Sequence, residues 1–181
     1  VAQALAVAVA VALGLALWIV LRRASRLIAE TRRIEGFQRA TRDLVERIGP
    51  SLDGVAARID AVRRHTIPAE AIADNLAAAT EAVQRYADEA RALKGPAGGA
   101  DIRAALVAEL GRAERALEMV EHGRSILTSA RVGGRELEAQ TSIKRGYLNL
   151  LHAREAIVRH AARASDLELS EDLRWFQRRN A

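Results

Sequence analysis

The sequence predicts an all-α protein: a single N-terminal transmembrane helix followed by an antiparallel, coiled-coil-like helical bundle. Three observations predict it. Residues 1–21 carry no charge. Beyond them, apolar residues recur at spacings of three and four, the period of one helix face. Nowhere do apolar and polar residues alternate between hairpin turn signals, as a half-buried strand requires.

Residues 1–21 form the predicted membrane span. Gln3 is their only strongly polar side chain. As a helix they would rise about 31 Å, the thickness of a bilayer's hydrocarbon layer. Trp18 near one end suits the headgroup level. The run ends in Trp18-Ile19-Val20-Leu21-Arg22-Arg23, not in the small-residue site of a cleaved signal peptide. Ala2, Ala6, Ala10 and Gly14 are each four apart and line one face, where small residues let two membrane helices pack closely.

Residues 22–48 read as a basic juxtamembrane helical stalk. The chain has 28 basic and 23 acidic residues, a net charge of +5, and the excess lies here. Residues 22–42 hold seven Arg against Glu30 and Glu35, whereas residues 43–181 balance. A basic protein raises nucleic acid as a partner, but 3% aromatic content gives little for base stacking. The location of the charge favours the anionic surface of a bilayer, with Arg22, Arg23, Arg26, Arg32 and Arg33 as its ligands. Arg beside a span stays in the cytoplasm, so the expected topology is N-terminus outside and C-terminal domain cytoplasmic. Ile34, Phe37, Thr41, Leu44 and Ile48 continue the stripe at 3, 4, 3, 4.

Residues 49–164 are the predicted bundle. Gly49-Pro50 interrupts the stripe as either a kink or a turn, because proline removes a helical hydrogen bond. Leu52, Val55, Ile59 and Val62 then resume it. Pro68 suits the first position of the next helix, whose stripe is Ile72, Leu76, Ala79, Val83, Tyr86, Ala90 and Leu93. Lys94-Gly95-Pro96-Ala97-Gly98-Gly99 makes a loop, and Asp101 is positioned to cap a helix carrying Ile102, Leu106, Leu110, Ala113, Leu117 and Val120. Gly133-Gly134 breaks the chain again before Ile143, Tyr147, Leu150, Ile157 and Ala161. The expected core is therefore Ile72, Leu76, Val83, Tyr86, Leu106, Leu117, Val120, Tyr147 and Ile157. Short loops imply antiparallel neighbours. Residues 165–181 read as a short amphipathic C-terminal helix or tail, with Leu169, Leu173 and Phe176 on one face.

Catalytic chemistry finds few candidates. There is no cysteine, so no disulfide, thiolate or cysteine metal site. His65, His122, His152 and His160 are the only histidines. Glu118 with His122 and His152 with Glu155 share helix faces, but the Glu-x-x-His pair of di-iron bundles is absent. The Gly95–Gly99 loop lacks the Gly-Lys-Ser/Thr ending of a phosphate loop, and Ser51, Ser125 and Ser129 lie in no nucleophile motif. Arg154 falls near its helix's apolar stripe and reads as a snorkelling side chain or as one half of an ion pair with Glu109 or Glu118. No cofactor, metal or small-molecule substrate is expected. The Arg-over-Lys bias and Ala content point to a bacterial source. Together these features predict a non-enzymatic scaffold or accessory subunit that binds membrane lipids and a protein partner or a second copy of itself. The alternative is a single-pass sensor that transmits through a helix continuous from membrane to bundle.

Overall fold

A computed structural model describes the backbone of residues 2–129 and 134–167, with every side chain there except those of residues 2–13, 16 and 97. Among the described residues the protein is all-helical. It has four α-helices: α1 (Ala2–Arg63), α2 (Ala73–Ala92), α3 (Ala100–Thr128) and α4 (Glu136–Ser165). Phe37–Leu167 form one compact unit, and Val1–Gly36 belong to a second. The expected terminal helix over 165–181 lies almost wholly outside the described residues, because only 165–167 are described and α4 ends at Ser165.

α1 does not break at Gly49-Pro50. Pro50 sits inside the helix. A proline there forfeits a hydrogen bond and costs roughly 3 kcal/mol. Ile48 and Leu52 on either side are each 1% exposed, so ending the helix here would uncover the stripe they share. Phe37, Leu44 and Ile48, read as part of a stalk, also belong to the bundle's core. The helix ends in a C-terminal capping motif. Thr66 N donates to Ala61 O and His65 N to Val62 O, both at 2.9 Å, with His65 at φ 58°.

The other termini differ in detail from expectation. Pro68 is extended and leads into a 3₁₀ turn at Ala69–Ile72, so the α-helix starts at Ala73. Asp101 lies within the first turn of α3 and does not cap it. The capping position is held by Gly99, which makes no side-chain bond. The Asp101 carboxylate still complements the positive end of the helix dipole there. Gly134 takes φ 84°, a left-handed conformation that suits glycine, just before α4.

Within Phe37–Leu167 the helices run antiparallel to their neighbours. Arg47 pairs with Glu89 across α1 and α2, and Gln84 with Glu114 across α2 and α3. Asp53 pairs with Arg154 across α1 and α4. Ile72, Leu76, Val83, Leu106, Leu117, Val120 and Ile157 are buried at 2% exposure or less. Tyr86 and Tyr147 are half-buried and pack against the core's edge.

The tightest seam joins α3 and α4. A Cβ on Gly146 would lie 2.6 Å from Ala116 O and 2.6 Å from Val120 Cγ2. One on Gly123 would lie 2.7 Å from Ala139 O. Each glycine thus admits the opposite backbone, and Ala113, Ala116, Ala139, Ala153 and Ala156 continue the seam as buried small residues. A second glycine contact closes the α2–α3 loop. Gly95 and Gly99 pack on the Phe37 ring, where a Cβ would stand 2.8 Å and 3.2 Å from ring carbons.

Gly146→Ala is expected to destabilise by about 1–3 kcal/mol through overpacking, although alanine is the better helix former. Gly54→Ala, with nothing within 4 Å of the added Cβ, should stabilise by about 0.5–1 kcal/mol. Urea unfolding followed by circular dichroism separates the two. In the same assay Thr41→Val should gain about 1 kcal/mol. Thr41 is fully buried, and its hydroxyl has no hydrogen-bond partner among the described residues.

Candidate functional site

The most unusual chemistry of the described surface is the apolar-to-basic junction on α1. Leu15, Leu17, Trp18, Ile19, Val20 and Leu21 are 41–62% exposed. Successive residues of a helix point about 100° apart, so this run is open all around the helix. Single exposed leucines are ordinary, but a contiguous apolar surface marks a protein or membrane contact. The run stops at Arg22, whose guanidinium turns back over the Trp18 ring at 4.9 Å from its centroid. This cation–π contact places a charge and an indole at one level of the helix. Ser25 Oγ donates to Arg22 O at 2.9 Å.

Arg22, Arg23, Arg26, Arg32 and Arg33 are all exposed. Arg33 Nη1 lies 3.8 Å from Glu30 Oε2, a loose i,i+3 pair that leaves its side chain 72% exposed. The charge is therefore displayed outward. Of the predicted packing face, Gly14 is exposed, and a Cβ there would meet nothing within 4 Å. The side chains of Ala2, Ala6 and Ala10 lie outside those described. Among the described residues no helix is long and apolar enough to cross a membrane. Most of the segment expected to do so, residues 1–13 and 16, lies outside the described side chains.

On the bundle, polar contacts fasten helix to helix at the surface. The Arg47 guanidinium grips both Glu89 oxygens, and this bond holds the Glu89 carboxyl below its usual range. Tyr86 Oη donates to Arg47 O at 3.4 Å. Arg154 meets the Asp53 carboxylate of α1 through two 2.8 Å contacts. The partner of Arg154 is thus Asp53, not Glu109 or Glu118. Arg63 bonds Asp60 at 2.7 Å and lies over the Tyr147 ring at 4.6 Å. Ser142 Oγ on α4 donates to Met119 O on α3 at 2.7 Å. Solvent screens such surface ties, so they specify register more than stability.

The remaining candidates do not converge. Glu118, His122, His152 and Glu155 are exposed, and His122 lies 3.8 Å from Glu138 instead of on a metal-like cluster. Among the described residues no group of three His, Asp or Glu side chains could hold a metal ion. Shallow grooves among the described residues include two with polar linings. One, of about 260 Å³, lies between α1 and α2 and is lined by Ser51, Arg58 and Asn75 among small residues. The other, of about 350 Å³, lies at the end of α1, with His65, Thr66 and Leu127 on its wall. Neither sets a nucleophile beside a base.

His160 is the one histidine among the described residues whose titration its surroundings clearly shift. Its Nδ1 is buried without a hydrogen-bond partner among the described residues. Burial pushes its pKa down, Arg163 and Arg159 add to that, and Glu109 opposes it. No protein-family model, curated protein or solved structure matches this chain.

A histidine held neutral in the fold binds its proton more readily once unfolded. Stability is therefore complete above the unfolded value of about 6.5 and falls as pH drops below it. The Glu89 and Glu121 carboxyls, lowered by Arg47 and Arg124, lose their contribution only below about pH 4.5. Unfolding free energies from urea titrations at pH 8 to 5 should decline below about 6.5, by at most about 1.4 kcal/mol per pH unit. His160→Gln should flatten that decline, and an unchanged profile would remove His160 as its cause.

Proposed function

We propose that the chain is a single-pass membrane protein. Residues 1–21 cross the bilayer, the Arg collar meets the cytoplasmic leaflet, and the bundle acts from the cytoplasm as a non-enzymatic scaffold or accessory subunit. The carrying observation is the run Leu15–Leu21, open on every side of α1 and ended by Arg22. Burying one such side chain gains about 1.5–3 kcal/mol, and a bilayer can surround a helix on all sides at once. The Trp18–Arg22 stack supports an interfacial level there, indole toward the acyl chains and guanidinium toward the headgroups. Arg23, Arg26, Arg32 and Arg33 extend that attraction, at about 1 kcal/mol for each residue close to an anionic surface. Open space beside Gly14 supports pairing of the span through the Ala2–Ala6–Ala10–Gly14 face, with itself or with a partner's span.

The bundle's part is binding. Its exposed face carries Met119, Leu137, Leu148 and Val158 among charged residues, and its polar groups form ties between helices. That supports protein–protein contact as its mode of action. One observation favours the sensor as a second reading: α1 is unbroken from Ala2 through Pro50 to Arg63. A displacement of the span would then reach the core through a single element. Proteins copurified in mild detergent distinguish the two. A stable structural partner supports the scaffold, and a kinase or cyclase supports the sensor.

The topology has a direct test. A C-terminal reporter active only in the periplasm should be silent, while the same fusion with a cytoplasm-active reporter should signal. A strong periplasmic signal would reverse the orientation, and recovery of the full chain without membranes would remove the anchor.

A further inference from the structure

Where nothing lies against α1, its apolar side chains stay open. Leu21 is 60% exposed and Ile28 55%. Further along, one side of the same helix is shielded. Ile34 falls to 7%, and Leu27, Glu30 and Thr31 are half-buried. Ala29, Arg32, Arg33 and Glu35, interleaved with them, remain exposed. A helix by itself shields its side chains about equally, so this asymmetry requires a covering partner. The buried core of the bundle begins at Phe37 and does not include Ile34.

Leu27, Thr31, Ile34 and Gln38 follow at 4, 3, 4 and share one face. Gln38 Nε2 donates to Ser165 O at 3.0 Å and to Leu167 O at 3.1 Å. The chain therefore leaves α4 on that face. The 14 residues from Glu168 onward carry Leu169, Leu173 and Phe176 at 4, 3 spacing. As a helix they would extend about 21 Å, the length of α1 from Gln38 back to Ala24. Laid antiparallel from Gln38, their acidic pair Glu171-Asp172 comes level with Arg32 and Arg33, and Arg174 comes level with Glu30. Apolar pattern, length and charge order all fit.

We propose that residues 168–181 dock as an amphipathic helix, antiparallel to α1, on its Leu27–Thr31–Ile34 face. Docking brings Arg178 and Arg179 beside Arg22, Arg23 and Arg26, so both ends of the chain contribute to one basic collar. The inference stands whether or not residues 1–21 cross a membrane.

The lack of native cysteine makes the test clean. In the full chain in mild detergent, Ile34→Cys should resist a polyethylene-glycol maleimide, whereas Ile28→Cys should react readily. Adding Leu173→Asp and Phe176→Asp to Ile34→Cys should raise its labelling at least tenfold, with helical circular dichroism retained. Independently, Thr31→Cys with Leu173→Cys should close a disulfide within one chain on mild oxidation. This arm reports even if the aspartates loosen the bundle. Labelling of Ile34→Cys as fast as Ile28→Cys would overturn the proposal. So would protection that survives both the aspartates and deletion of residues 168–181. A disulfide formed only between chains would make a second copy the occupant, and would overturn it too.

Discussion

Helices with alanine-rich stripes bury little surface per residue, so a core made from them depends on how closely their backbones approach. The α3–α4 seam meets that condition. Gly146 faces Ala116 O and Gly123 faces Ala139 O at distances that leave no room for a methyl group. Dispersion attraction falls steeply with a gap of even half an ångström. The flanking alanines make contact only because the glycines let the helices close. Larger residues then fill the centre of the bundle, where Leu106, Leu110, Leu117 and Leu150 are essentially inaccessible to solvent. Ser142 Oγ reaching Met119 O is a by-product of the same approach, since few side chains as short as serine could otherwise span two helices.

α1 is held by a different device. It brings Phe37, the largest fully buried side chain among the described residues, and two glycines of the α2–α3 loop pack against that ring. Ion pairs at Arg47–Glu89 and Asp53–Arg154 then set its register against α2 and α4. These pairs are partly exposed and contribute little stability, but the wrong register would leave each charge without its partner. The core selects the helix, and the surface charges select its position along the axis.

The all-helical character was legible because a spacing of three and four is a local property of sequence. The boundary between apolar run and arginines was legible for the same reason, as a change of charge along the chain. What depends on distant residues was not. Asp53 and Arg154 are 101 positions apart, and nothing near Arg154 distinguishes that acid from Glu109 or Glu118. Gly123 and Gly146 look like small helix-propensity costs until the opposite backbone is in place. Pro50 looks like a stop, because its local cost is plain and the burial of Ile48 and Leu52 that offsets it is not. The turn of Arg22 onto Trp18 was also hidden, although the i,i+4 spacing permits it.

The placement of the aromatic residues decides what an optical probe can see. Both tryptophans, Trp18 and Trp175, fall outside Phe37–Leu167. Indole emission therefore reports first on the segments outside the bundle core. The bundle's own chromophores are Tyr86 and Tyr147, within α2 and α4, each beneath a guanidinium of α1, that of Arg47 and that of Arg63. Tyrosine absorbance follows the departure of α1 from α2 and α4, while tryptophan fluorescence follows the surroundings of Trp18 and Trp175. In one unlabelled sample, separate wavelengths thus distinguish unfolding of the bundle from changes around the tryptophans.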